Sequence, residues 1–151
     1  MLKRKVKASI VIACEAEKII AAFTAFEMLK DWWSVERSFV EKSRGGTYML
    51  LWGITAKGIA YISSGTIEEY DPNTILKVRN FAYVCPDRPV LGNMTLTIRI
   101  EKHDGKSKVH LCQSGYQNGT HWDWYYNVVS KVWPEMLTVL KQYLENKPPN
   151  Q

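Results

Sequence analysis

HWDWYYNVVSKVWPEMLTVLKQYLEN, His121 to Asn146, is the stretch on which the fold of this 151-residue chain turns. Trp122, Tyr125 or Tyr126, Val129, Val132 or Trp133, Met136, Leu137, Leu140 and Leu144 step by three or four. They make one apolar stripe along a long helix. Asp123, Asn127, Lys131, Glu135, Lys141 and Glu145 lie mostly off it. The C-terminal half of the stripe is aliphatic, as in ordinary core. The N-terminal half is aromatic with polar tips. Tyr and Trp bury a broad ring but need a partner for O–H or N–H, and each one left unpaired costs about 1–3 kcal/mol. Two readings fit: large side chains filling the gap to a sheet, or an incompletely filled interior that takes water or a ligand. Pro134 removes a backbone donor and crowds the preceding turn. It predicts a kink near Trp133, or a new helix with proline at its first position.

Upstream, the period changes. KVKASIVIA alternates Val6, Ala8, Ile10 and Ile12 against Lys5, Lys7, Ser9 and Val11, which is a strand. CEAEKIIAAFTAFEMLKDWW places Ile19, Ile20, Phe23, Phe26 and Met28 or Leu29 at helical spacing, with a break near Phe26 giving two short helices. RSFVEKS, TYMLLWGI, GIAYISSGTIEEY, TILKVRNFAYV, MTLTIRI and KVHLCQSGY follow as six strands. Arg44-Gly45-Gly46, Asp71-Pro72-Asn73 and His103-Asp104-Gly105-Lys106 supply turns between them. Adjacent Glu68 and Glu69 read as solvated carboxylates, with a bulge that lets Ile67 and Tyr70 both face inward. Strand runs kept apart from helix runs imply an α+β fold with helices on one face of an antiparallel meander.

Length sets one domain over residues 1–146, and NKPPNQ reads as a frayed end with 147–151 disordered. The net charge of +5 comes partly from MLKRKVK, which reads as a solubilising set of lysines on a first strand. Cys14, Cys85 and Cys112 are an odd, scattered set, which argues against a disulfide framework and fits reduced thiols in a cytoplasmic protein. No run approaches the ~20 apolar residues of a membrane helix, and ASIVIA is too short for a signal peptide. His103, His110 and His121 do not converge, so no metal is expected. Cys112 shares a strand face with His110, but the solvent face, which weighs against a thiol enzyme. The aromatic residues lie on the apolar stripe and not beside the lysines, so nucleic acid is not an expected partner.

SIVIACEAEKIIAAFT, LKDWWS, Arg44-Gly45-Gly46, GTIEEYDP, VHLCQSGY and VWPEMLTVLKQYLE occur in this order over nearly the whole chain. Together they resemble the helix-grip superfamily of START domains and birch-pollen-allergen-like proteins (SRPBCC), and within it the branch named for the activator of heat-shock-protein-90 ATPase. Two positions depart from that branch. Gln113 stands where it often carries His, and Pro134 directly follows the helix tryptophan.

The resemblance implies a curved seven-stranded antiparallel sheet around the C-terminal helix, with two short helices closing one end. It also implies a cavity between sheet and helix for a hydrophobic, ring-containing, lipid- or polyketide-like molecule, with no cofactor. The expected lining is Trp32 from the second short helix and Trp52, Tyr61, Phe81 and Met94 from the sheet. Trp122, Tyr126, Val129 and Trp133 face it from the helix, and Gln113 and Asn80 are polar anchors. Joint replacement of Tyr126 and Trp133 by alanine is expected to abolish binding without unfolding the sheet. Some superfamily relatives are cyclases or hydrolases, and an enzyme here requires an inward carboxylate or His with a shifted pKa. The branch name implies a chaperone-regulating or stress-response role, and a homodimer is also left open.

Overall fold

The computed structural model describes residues 3–146; residues 147–151, where a disordered tail is expected, lie outside them. The elements run β1 (Lys5–Ile12), α1 (Ala16–Thr24), α2 (Phe26–Trp33), β2 (Arg37–Val40), β3 (Thr47–Thr55), β4 (Gly58–Asp71) and β5 (Ile75–Val84). They continue as β6 (Leu91–His103), β7 (Lys106–Ser114) and α3 (Thr120–Asn146). The seven strands form one antiparallel sheet in the order β1-β7-β6-β5-β4-β3-β2. This is the α+β helix-grip arrangement: a meander from β2 to β7, closed by the first strand against the last.

Alternation decides which face is buried. Leu76, Val78, Leu96, Ile98, Val109 and Leu111 point toward the helices and are buried, while Lys77, Thr97, Arg99 and His110 point away. Register shifts between Ser64 and Thr66, Ile67 and Glu69, and Val78 and Phe81 interrupt the β4–β5 and β5–β6 ladders. Such bulges bend the sheet around α3. The bulge expected at Glu68 is one of them: Ile67 is buried, Tyr70 packs on the core, and Glu68 pairs with half-buried Lys77 at 2.9 Å.

The helix pair breaks at Ala25, which is extended with φ −85° and ψ 124°. The end of α1 leaves carbonyls without helical donors. Trp32 Nε1 donates to the Ala22 carbonyl at 2.7 Å, and the Tyr48 hydroxyl to the Phe23 carbonyl at 2.8 Å. Both donors are buried.

The sequence expectation at Pro134 was a kink or a fresh start; α3 runs as one helix through it. Pro134 lies on the exposed side of the helix, off its buried stripe. The other end of α3 covers the β1 edge. Lys141 Nζ donates to the Val11 carbonyl and Glu145 accepts from the Ala13 amide, each at 2.7 Å.

Candidate functional site

The buried stripe of α3 is Trp122, Tyr125, Val129, Trp133, Leu137 and Leu140. It faces Phe81 and Tyr83 of β5, Met94 of β6 and Gln113 of β7 across the sheet interior. Gln113 is the polar centre of this contact, 1% exposed. Its Nε2 donates to the Tyr125 hydroxyl at 2.9 Å and lies 3.4 Å from the Met94 sulfur. Its Oε1 accepts from Trp133 Nε1 at 2.8 Å. One amide thus ties two turns of the helix to one strand.

Aromatic rings extend this polar seam in both directions. Tyr83 stacks on Tyr125 with centroids 5.0 Å apart. Tyr116 packs edge-on to Trp122 and Tyr126. On the other side, Trp33 of α2 contacts Trp133, Trp52 and Trp32, at 5.2, 5.3 and 5.2 Å. The rings touch one another, so the seam is filled by its own side chains. The loop after β5 packs on the start of α3: the Arg88 guanidinium lies 3.7 Å over the Trp124 ring and 3.2 Å from His121 Nδ1. Among the described residues the Tyr116 hydroxyl is the one buried side-chain polar atom without a hydrogen-bond partner.

Burial raises the phenol pKa of Tyr48, Tyr116 and Tyr125, the last partly offset by its bond from Gln113, and it pushes Tyr83 up to about 12. A phenol raised above its unfolded value of 10.0 contributes stability that is complete below that value and is lost as pH climbs through the folded one. An alkaline titration followed by phenolate absorbance should therefore leave these four of the eight tyrosines neutral until the fold gives way. Smooth ionisation of all eight near the ordinary value would contradict the buried seam.

The sequence pattern of the family described as activator of Hsp90 ATPase homolog 1-like protein matches residues 13–145. The chain belongs to the activator of Hsp90 ATPase homolog 1-like family. No curated protein matches its sequence. Solved structures match its fold. The solution structure of the Aha1 dimer from Colwellia psychrerythraea superimposes with TM-score 0.70 and 18% identity, over 94% of this chain and 96% of that one. A Mesorhizobium loti protein gives TM-score 0.75 and 16% identity over 96% and 99%. DynU16, assigned to the dynemicin biosynthetic locus, gives TM-score 0.71 and 12% identity over 97% of this chain and 49% of its own.

Within this family fold the expected lining residues divide. Phe81, Met94, Gln113, Trp122, Val129 and Trp133 converge between sheet and α3. Trp52 is half-buried and donates to the Trp33 carbonyl at 3.1 Å. Trp32 is buried but turned toward the end of α1, where its N–H is engaged. Tyr61 is corrected: it pairs with Trp52 at the outer end of the β3–β4 hairpin and is 42% exposed. Asn80 is also corrected. It takes up the extra residue of the β5 bulge in the left-handed region, φ 51°, and is exposed instead of anchoring the interior. Tyr126 sits on the flank of α3, half-buried, with the Arg4 guanidinium 4.9 Å from its ring, and Tyr125 takes the central place. Sequence reasoning missed Trp33, Tyr83 and Tyr116. Tyr83 alternates with Phe81 on β5, a signal that was readable.

Among the described residues no three His, Cys, Asp or Glu side chains cluster closely enough to hold a metal ion. No described helix is long and apolar enough to cross a membrane.

Proposed function

We propose that this chain binds a hydrophobic, ring-containing small molecule between the sheet and α3, in a seam that its own aromatic side chains close when no ligand is present. The observation that carries the reading is Gln113: a buried amide, bonded to Tyr125 and Trp133, amid rings that a flat apolar ligand can replace. The free Tyr116 hydroxyl offers a second polar contact. The polar groups facing the seam are amide, phenol, indole and thioether. They orient a ligand and are poor proton-transfer agents near neutral pH. This favours binding over a cyclase- or hydrolase-like reaction. The three free cysteines suit a reducing, cytoplasmic setting.

The test uses the neutral fluorophore 1-aminoanthracene. The native protein should bind it saturably and transfer tryptophan excitation to it, because Trp33, Trp52 and Trp133 border the seam. Val129→Phe adds a ring to the seam and should weaken binding by about tenfold or more. Tyr83→Ala removes a half-buried ring and should tighten it. Absence of saturable binding, or both variants matching the native affinity, would sink the proposal.

A further inference from the structure

The face of the sheet turned away from α3 carries a second site, independent of the seam. Its strands align side chains into three cross-strand rows. Lys5, Ser114 and Thr95 form the first; Lys7, Cys112, Thr97 and Lys77 the second; Ser9, His110 and Arg99 the third. These residues line a groove of about 940 Å³, within the range of about 300–1,000 Å³ of small-ligand sites. Lys77 is already paired with Glu68 at 2.9 Å, and the His110 ring lies 3.5 Å from the Glu101 carboxylate. Among the described residues, Lys5, Lys7 and Arg99 have no carboxylate within ion-pair distance. The Ser9, Thr95, Thr97 and Ser114 hydroxyls stand between them as further donors.

Cations interleaved with hydroxyls match phosphate oxygens, which accept several charge-assisted bonds at once. Lys7 and Arg99 belong to neighbouring rows two strands apart, about 7 Å along the strands and about 10 Å across them. A chain of linked phosphates gives each of them its own phosphate at that separation. No Phe, Tyr or Trp lines the groove, so it lacks the broad stacking platform on which single-stranded nucleic acid depends. We propose that this groove binds a soluble anion bearing two or more linked phosphate groups. Lys5 and Lys7, which the sequence alone presents as solubilising residues on an edge strand, then act as ligand contacts.

Isothermal titration with inorganic tripolyphosphate tests this. The native protein should bind it with an affinity that falls steeply as salt is added. The double variant Lys7→Glu/Arg99→Glu, both on the exposed sheet face, should weaken binding at least tenfold. Lys30→Glu/Lys42→Glu, on α2 and in the loop after β2, changes net charge equally and should leave it unchanged. Equal weakening by both pairs would overturn the site in favour of general attraction by net charge. So would heats no larger than those of sulfate at matched ionic strength. A short polyglutamate peptide binding as tightly as tripolyphosphate would overturn it in favour of an acidic protein segment.

Discussion

Gln113→Leu should destabilise the fold by about 2–4 kcal/mol, although the two side chains are close in size. Leucine keeps the volume and adds apolar burial, so the loss isolates the polar term. Trp133 Nε1 loses its acceptor and the Tyr125 hydroxyl loses its donor, both deep between sheet and helix. A buried orphan costs about 1–3 kcal/mol, more than the bond itself contributes net. For a chain of this size the midpoint of thermal unfolding should fall by roughly 4–16 °C. Urea melts followed by tryptophan emission would measure the change, with the slope unchanged if only stability is altered. The double variant Gln113→Leu/Trp133→Phe offers a sharper readout. It removes the orphaned N–H, so it should be more stable than the sum of the single changes predicts. Strict additivity would show that the amide and the indole are not coupled.

Gly46→Ala should cost more than about 3 kcal/mol, a larger effect than most turn substitutions produce. A Cβ at Gly46 would overlap the Glu41 carbonyl and lie 2.9 Å from the Ser43 carbonyl. Both are backbone and neither swings aside. The Gly46 amide donates to Ser43 at 2.9 Å, and its carbonyl accepts from Ile67 at 2.8 Å, which docks the β2–β3 turn on β4. Relieving the overlap breaks those bonds as well. Gly45 next to it is the control. It has φ 86° and open space around it, so Gly45→Ala should cost only about 1–2 kcal/mol for the left-handed backbone. Chemical denaturation of the two variants should separate them, and equal losses would contradict the packing at Gly46.

The sequence shows the two glycines only as a turn. Which of them is crowded depends on how the turn folds its own backbone back, bringing the Glu41 and Ser43 carbonyls against Gly46, a path that the residue letters do not show. The same limit recurs at the seam. The aliphatic half of α3 is legible because Trp133, Leu137, Leu140 and Leu144 recur at helical spacing with Glu135, Thr138 and Lys141 between them. The aromatic half is not, because Tyr125 and Tyr126 both fall within the apolar arc, and only the donor on Gln113 selects one. On α2, Trp32 and Trp33 follow one another and their roles differ by a single helical step: the first seals the end of α1, the second meets Trp133. Asn80 reads as an inward strand residue until a bulge changes its parity. By contrast the break at Ala25 and the bulge at Glu68 are legible. Each is the local answer to a conflict between spacing and burial visible within a few residues.

The closing of the sheet has a consequence for synthesis. β1 is made before the other strands of the sheet, yet its ladder partner is β7, and its outer edge is covered by Lys141 and Glu145 of α3. Its inner residues, Val6, Ile10 and Ile12, therefore wait until β7 and α3 have been made before their ladder partner and covering helix exist. The helices and the β2–β6 meander assemble from contacts between adjacent segments, which costs little chain entropy. The terminal strand must instead be stitched in by the last-made parts. A nascent chain arrested before β7 thus carries an unpaired apolar strand at its start, the kind of segment that holding chaperones recognise.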